Sequence, residues 1–264
     1  MPIITLLTDF GIKDGNVGVM KGVIWGICPT AQISDLSHLI GAQNVQEAAH
    51  VIGKCAPYFP AATIHVMVVD PGVGTTRRPI AARIGDQFFV CPDNGLITVP
   101  LERAEQTGQP VEIVELNRPR YWLPVVSHVF HGRDIFSPCA ARLANGTALE
   151  ELGARIEDPV RLPLPKPEKT KNGWRGEVIH IDHFGNVLSN VRTEHLNDMA
   201  NEEVIVRLSG VEIKGMVKTF GERANGELIA LFGSAGNLIV SVVNGSAAHR
   251  LGAKVGDSIE ITIK

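Results

Sequence analysis

An acid, two glycines and two arginines stand together in Asp70-Pro71-Gly72-Val73-Gly74-Thr75-Thr76-Arg77-Arg78, directly after the apolar run Ile64-His65-Val66-Met67-Val68-Val69. The run reads as a buried strand, so these groups arrive at a strand's carboxyl end, where open α/β sheets bind ligands. Little side-chain bulk separates Asp70 from Arg77, which suits close backbone approach to a ligand. A phosphate-binding loop would need a lysine that this stretch lacks, so that chemistry is excluded. What remains is a carboxylate held in orientation by an arginine. Joined by a histidine, such a pair can fix and polarise a water molecule near neutral pH. His131, in Phe130-His131-Gly132-Arg133-Asp134, is the candidate third member.

Other acidic loops point the same way. Thr8-Asp9-Phe10-Gly11 ends one apolar run and Pro92-Asp93-Asn94-Gly95 ends another. In a parallel sheet these loops share one edge, where Asp9, Asp70, Arg77, Asp93, Asn94, His131 and Asp134 could converge. Each also has a plainer role. Asp9 suits a turn before Gly11, Asp93-Asn94-Gly95 is a strong turn signal, Asp134 suits the cap or first turn of a helix, and Arg133 reads as an ion-pair partner. Arg78 reads equally well as a solvated neighbour of Arg77. His38, His65, His131, His180 and His183 could ligate a metal, but no H-x-x-x-H or H-E-x-x-H spacing occurs, so no metal site is expected. A G-x-S-x-G nucleophile elbow is also missing.

The elements that must position these groups fall into two styles. Strands are predicted at Ile3–Thr8, Ile33–Leu36, Ile64–Val69, Ile80–Ile84 and Phe88–Cys91. Helices are predicted at Val17–Ile27, at Asn44–Cys55 with Asn44 as cap, and at Asp134–Leu143. The alternation implies βαβ units and a mostly parallel sheet in an α/β N-terminal domain, residues 1–157. Residues 158–170 carry Pro159, Pro163, Pro165 and Pro167 and read as an extended linker. Residues 171–264 hold short alternating runs at Gly176–Asp182, Val187–Val191, Glu203–Leu208, Val211–Lys214, Leu228–Phe232, Asn237–Val243 and Ser258–Ile263. With turn pairs such as Ser209-Gly210 and Asn225-Gly226 between them, they suggest a small all-β, barrel-like domain.

Composition narrows the function classes. The 264 residues carry a net charge of −3, with 44% hydrophobic residues and 5% aromatic. No basic stripe suggests nucleic acid, and no apolar run approaches the ~18 residues of a membrane span. Cys28, Cys55, Cys91 and Cys139 are widely spaced among apolar neighbours. They read as reduced thiols in a cytoplasmic protein, and the N-terminus lacks a signal-peptide n-region.

Eight segments carry a family resemblance: Thr8–Gly11, Met20–Ile24, Asp35–His38, Val69–Gly74, Pro92–Leu96, Phe130–Phe136, Ile181–Val187 and Asn244–Ala248. In order and nearly end to end, they resemble the S-adenosyl-L-methionine hydroxide adenosyltransferases, the water-using relatives of fluorinases and chlorinases. The resemblance implies an α/β domain joined to a β-barrel domain, and a homotrimer with substrate sites between one subunit's N-terminal domain and its neighbour's C-terminal domain. It implies hydrolysis of S-adenosyl-L-methionine to adenosine and methionine with no cofactor. Asp70, Arg77 and His131 match the set that positions the attacking water, and Asp9 matches the ribose-binding aspartate. Asp182, Asn186, Phe220 and Ser234 match further substrate contacts. One departure stands out: the family usually reads Asn-Ser-x-Gly-x-Leu-Glu-Ile-Ala where this chain has Gly233–Ser241, with Ile239 in place of the glutamate. That departure keeps a non-catalytic S-adenosylmethionine- or adenosine-binding protein open as an alternative. A halide-using adenosyltransferase is the other alternative, disfavoured because a buried carboxylate repels halide.

Overall fold

The computed structural model describes residues 1–196 and 204–263. The chain divides into two compact units, Met1–Leu162 and Pro163–Lys264. In the first, β1 (Ile3–Thr8), β2 (Gln32–Ser37), β3 (Ile64–Val68), β4 (Pro79–Ile84), β5 (Gln87–Pro92), β6 (Val111–Glu115) and β7 (Ala154–Arg155) form one sheet in the order β2-β1-β3-β5-β4-β6-β7. The pairings from β2 to β5 are parallel, and those through β4, β6 and β7 are antiparallel. The sheet is therefore mixed. Its reversal lies between β4 and β5, where Ile84 pairs with Gln87 across Gly85 and Asp86. Two residues cannot house a parallel crossover, and Gly85 supplies a φ of +62° for the hairpin turn.

Helices cover both faces because the central strands are apolar on both sides. Ile4, Leu6, Val66 and Val68 pack with Met20 and Ile24 of α1 (Asn16–Ile27). Leu7, Met67 and Val69 face the other way, toward Ala48 and Ile52 of α2 (Val45–Cys55) and Leu101 of α3 (Thr98–Thr107). This is the period-two alternation of a strand buried on both faces. Asn44 caps α2, its Oδ1 accepting from Glu47 N at 3.0 Å. α3 and β6 are additional to the elements read from pattern. α4 (Ser137–Ala144) is entered through a wide π-turn at Gly132–Phe136.

The proline-rich stretch is anchored at several points. Val160 N donates to Asp93 Oδ1 and Leu162 N to Thr98 Oγ1 in the first unit. In the second unit, Asn190 Nδ2 donates to the Pro165 carbonyl, and β8 (Glu168–Thr170) pairs with β9 (Gly173–Ile181).

The second unit is antiparallel throughout. It adds β10 (Val187–Arg192), β11 (Val204–Leu208), β12 (Val211–Lys214), β13 (Leu228–Phe232), β14 (Asn237–Val242) and β15 (Ser258–Ile263), in the order β12-β11-β15-β9-β10-β14-β13. Glu203, expected to open β11, lies outside the described residues. The ends of this order approach each other, and Val217 N donates to the Ala230 carbonyl at 3.0 Å, so the sheet nearly closes into a barrel. Val178, Val187, Val206, Leu238, Val240 and Ile259 fill it. A short helix, α5 (Ala247–Leu251), follows β14. Among the described residues all four cysteines are free, and no helix is long and apolar enough to cross a membrane.

Candidate active site

Asp70 leaves the carboxyl end of β3 into a series of tight turns. Val73 N donates to the Asp70 carbonyl, Thr75 Oγ1 to the Gly72 carbonyl at 2.7 Å, and Arg77 N to Thr75 Oγ1 at 3.3 Å. These turns bring Arg77 back onto Asp70. Asn94 Nδ2, after β5, donates to the Val69 carbonyl at 2.9 Å and pins the residue just before the acid. Gly74 sits at φ +75°, where a Cβ would come within 2.2 Å of the His128 carbonyl oxygen. Glycine there lets the Asp70 loop lie against the loop that carries His131.

Arg77 Nε donates to Asp70 Oδ1 at 2.9 Å and to Oδ2 at 3.0 Å, and Nη2 also pairs with Oδ2. Nη2 lies 2.9 Å from His131 Nδ1, and the guanidinium carbon sits 5.3 Å from the Phe136 ring centroid. The Arg77 and Asp70 side chains are only 10% and 5% exposed, so solvent screens the pair weakly. Arg77 Nη1 is buried without a hydrogen-bond partner among the described residues. An arginine has no acceptor, so His131 Nδ1 must accept and the imidazole proton sits on Nε2. Desolvation, and then the charge of Arg77, hold the His131 pKa below its ordinary value, against the opposing pull of Asp70 and Asp134. The imidazole is thus biased toward its neutral form.

Asp70 and His131 line a cleft of about 200 Å³ with Asp9, Phe10, Gln43, Val73 and Phe130. Asp9 Oδ2 accepts from Gln43 N at 2.7 Å, and Gln43 is held at φ 63°, a conformation uncommon outside glycine. Phe10 and Phe130 meet edge to face at 5.6 Å. Gln43, Phe10 and Phe130 are cleft residues that the acid-and-base reading of the sequence misses. Their polar signal is weak, and only Gly41 nearby hints at an unusual turn.

The remaining acids of this edge brace the site. Asp93 takes the Arg78 guanidinium and Val160 N, while Arg78 Nη1 reaches Asp158 Oδ1 at 2.8 Å. Asp134, fully buried, accepts from Ser127 N and pairs with Arg133.

The candidate residues of the second unit occupy turns. Asp182 Oδ1 accepts from Phe184 N and Asn186 N at 3.0 and 2.9 Å, and Oδ2 from Asn186 Nδ2 at 2.8 Å. Gly185 packs on Ser246, where a Cβ would sit 2.0 Å from Oγ, and its carbonyl accepts from Ala248 N. The Ile181–Val187 and Asn244–Ala248 segments therefore lie against each other. Phe220 is exposed in a short turn after Thr219, and Ser234 is exposed between β13 and β14. Ile239 is buried in an apolar cluster with Leu188, Val217, Ile229 and Leu231, where an unpaired glutamate carboxylate would be costly.

Comparisons with known proteins agree along the whole chain. Residues 4–153 match the SAM hydroxide adenosyltransferase N-terminal domain, and residues 176–260 match the corresponding C-terminal domain. A protein of Salinispora tropica named (R)-S-adenosyl-L-methionine hydrolase is 41% identical over 99% of this chain and 98% of its own length. A fluorinase of Nocardia brasiliensis is 28% identical over 99% of this chain and 97% of its own. The crystal structure of an uncharacterised conserved protein from Thermotoga maritima superposes with a TM-score of 0.91 at 40% identity, covering 98% of this chain and 99% of that one. The chain belongs to the S-adenosyl-L-methionine hydroxide adenosyltransferase family.

Proposed function

We propose that this protein hydrolyses S-adenosyl-L-methionine to adenosine and L-methionine. The observation that carries the reading is the half-buried Asp70–Arg77–His131 contact chain, two of whose members line the cleft. Attack by water oxygen on ribose C5′ forms one C–O bond as the C5′–S bond breaks. The bonding pair leaves on sulfur, which becomes a neutral thioether and needs no acid. Water's proton must go elsewhere. His131 Nδ1 is occupied by Arg77, so the Asp70 carboxylate is the group that orients the water and receives its proton, releasing it to solvent. The Nε2 proton of His131 is then available to hydrogen-bond the attacking oxygen. Holding water in line with C5′ supplies the positional part of the rate enhancement.

The 41%-identical Salinispora tropica relative, named an (R)-S-adenosyl-L-methionine hydrolase, supports the substrate. In this reading Asp9 binds the ribose, and Asp182, Asn186, Phe220 and Ser234 are substrate contacts in a homotrimer with sites at its subunit interfaces. The unpaired cysteines suit a cytoplasmic enzyme. The test is to incubate purified protein with each sulfonium epimer of S-adenosylmethionine in halide-free buffer and identify products by mass. Adenosine and methionine in equal amounts support hydrolysis. Binding with no methionine release favours the non-catalytic alternative, and a product that requires added chloride favours halide transfer.

A further inference from the structure

Two segments with no part in the proposed chemistry, Met20–Ile24 and Asp35–His38, meet a third, Thr8–Gly11, through one line of contacts. Lys21 Nζ donates to Asp35 Oδ2 at 2.6 Å, and Asp35 Oδ1 lies 3.1 Å from His38 Nε2. His38 Nδ1 is 2.9 Å from Thr8 Oγ1, which accepts from Phe10 N at 3.2 Å. Gly11 N donates to the His38 carbonyl at 2.7 Å. Thr8 is fully buried and His38 is 7% exposed.

The Thr8 hydroxyl is the junction of this line. Thr8 has one hydroxyl proton, and its oxygen already accepts from Phe10 N. Thr8 Oγ1 and His38 Nδ1 share one hydrogen bond, while His38 Nε2 lies beside the Asp35 carboxylate at ion-pair distance without a hydrogen bond's alignment, and Lys21 holds the other carboxylate oxygen. Burial pushes the Asp35 pKa up, but Lys21 and His38 outweigh it and hold it below its ordinary value. The amides of Phe10 and Gly11, which turn the chain out of β1, therefore both end on the Thr8–His38 pair. Between them, Asp9 and Phe10 line the cleft.

From this geometry we infer that His38 is a positioning residue: braced by Asp35 and Lys21, it orients the Thr8 hydroxyl and so sets the turn that presents Asp9 and Phe10 to the substrate. A buried histidine's polar atoms cost free energy unless matched, and at Nδ1 the match is the Thr8 hydroxyl. The kinetic readout rests on the hydrolysis proposed above; the inference about the turn does not.

The test compares wild-type protein with Thr8→Val, His38→Gln, His38→Asn and the Thr8→Val/His38→Gln double variant. Valine copies threonine's shape without the hydroxyl. Glutamine can still reach Asp35 but loses the Thr8 contact, whereas asparagine can offer an amide oxygen where Nδ1 stood. Thr8→Val and His38→Gln are each expected to raise KM for S-adenosylmethionine about tenfold with kcat within about threefold, and the double variant no further, because both remove the same contact. His38→Asn is expected to restore most of the KM. Amide exchange, read by mass spectrometry on the peptide covering residues 9–11, is expected to quicken in both single variants. Unchanged KM and exchange in folded Thr8→Val, or KM effects that multiply in the double variant, would overturn the inference. Should His38→Gln fail to fold, Thr8→Val alone decides. Should wild-type protein make no adenosine, the hydrolysis reading fails, and exchange at residues 9–11 in Thr8→Val still decides the inference.

Discussion

Arg77 donates to both neighbours of the candidate site and can accept from neither, and this one-way chemistry assigns the parts. It holds Asp70 in a fixed plane and leaves His131 only its Nε2 proton to offer. Arg77→Lys keeps the charge but loses the planar fork, and is expected to lower kcat at least ~100-fold, the span of a misplaced acid–base group. Steady-state assay of folded protein, verified by circular dichroism, checks this. The sign of the pH dependence follows from the lowered His131 pKa. Its neutral form, the one that accepts from Arg77, persists as pH falls through the ordinary histidine value. The acid limb of kcat/KM that reports His131 is therefore expected below pH ~6.5, and a histidine limb above that value would contradict the assignment. Asp70, Arg77 and His131 were legible as residue types because acid, base and cation sit on small-residue loops. Their roles were not, because the tautomer depends on a 2.9 Å contact across a separation of 54 residues.

At the scale of elements, the cleft is built mainly from the loops that follow strand ends. Strand ends could be read from apolar runs, which placed the Asp9 and Asp70 loops on one edge. The π-turn before α4 and the left-handed Gln43 could not, since both are imposed by packing rather than by local preference. The β4–β5 reversal is not legible in the same way: Ile80–Ile84 and Phe88–Cys91 both read as strands, but apolar patterning carries no strand direction. Gly74 is the position where loop conformation and site meet. Gly74→Ala combines a positive φ with a Cβ 2.2 Å from a backbone oxygen, so a destabilisation of about 2–4 kcal/mol is expected, with loss of turnover as the two loops separate. Urea unfolding and single-turnover assay of the same preparation read both effects.

The whole molecule consists of two units with separate apolar cores, and its stability carries a pH signature outside the cleft. His65 lies fully buried in β3, its Nδ1 2.7 Å from Thr5 Oγ1, and desolvation lowers its pKa to about 4 despite an opposing contribution from Gln87. In the unfolded chain this histidine takes a proton near pH ~6.5, and in the folded chain it does not until about pH 4. The unfolded state binds more protons in that window. The contribution is therefore complete above the unfolded value and lost as pH falls toward 4, by about 3 kcal/mol in all. Urea unfolding at pH 7 and pH 4 is expected to show a steeper loss for wild type than for His65→Leu, and equal losses would contradict the assignment. The second unit was the more legible fold, since its short alternating runs and turn pairs map almost one to one onto antiparallel strands. Its candidate contacts were legible only through resemblance, because Asp182 and Asn186 look like any turn pair. The central claim concerns the bond that water makes. A single turnover of S-adenosylmethionine in water labelled with heavy oxygen, with products weighed by mass spectrometry, tests it most directly. The account predicts one heavy oxygen in adenosine and none in methionine; adenosine without the label, or no adenosine at all, would contradict it.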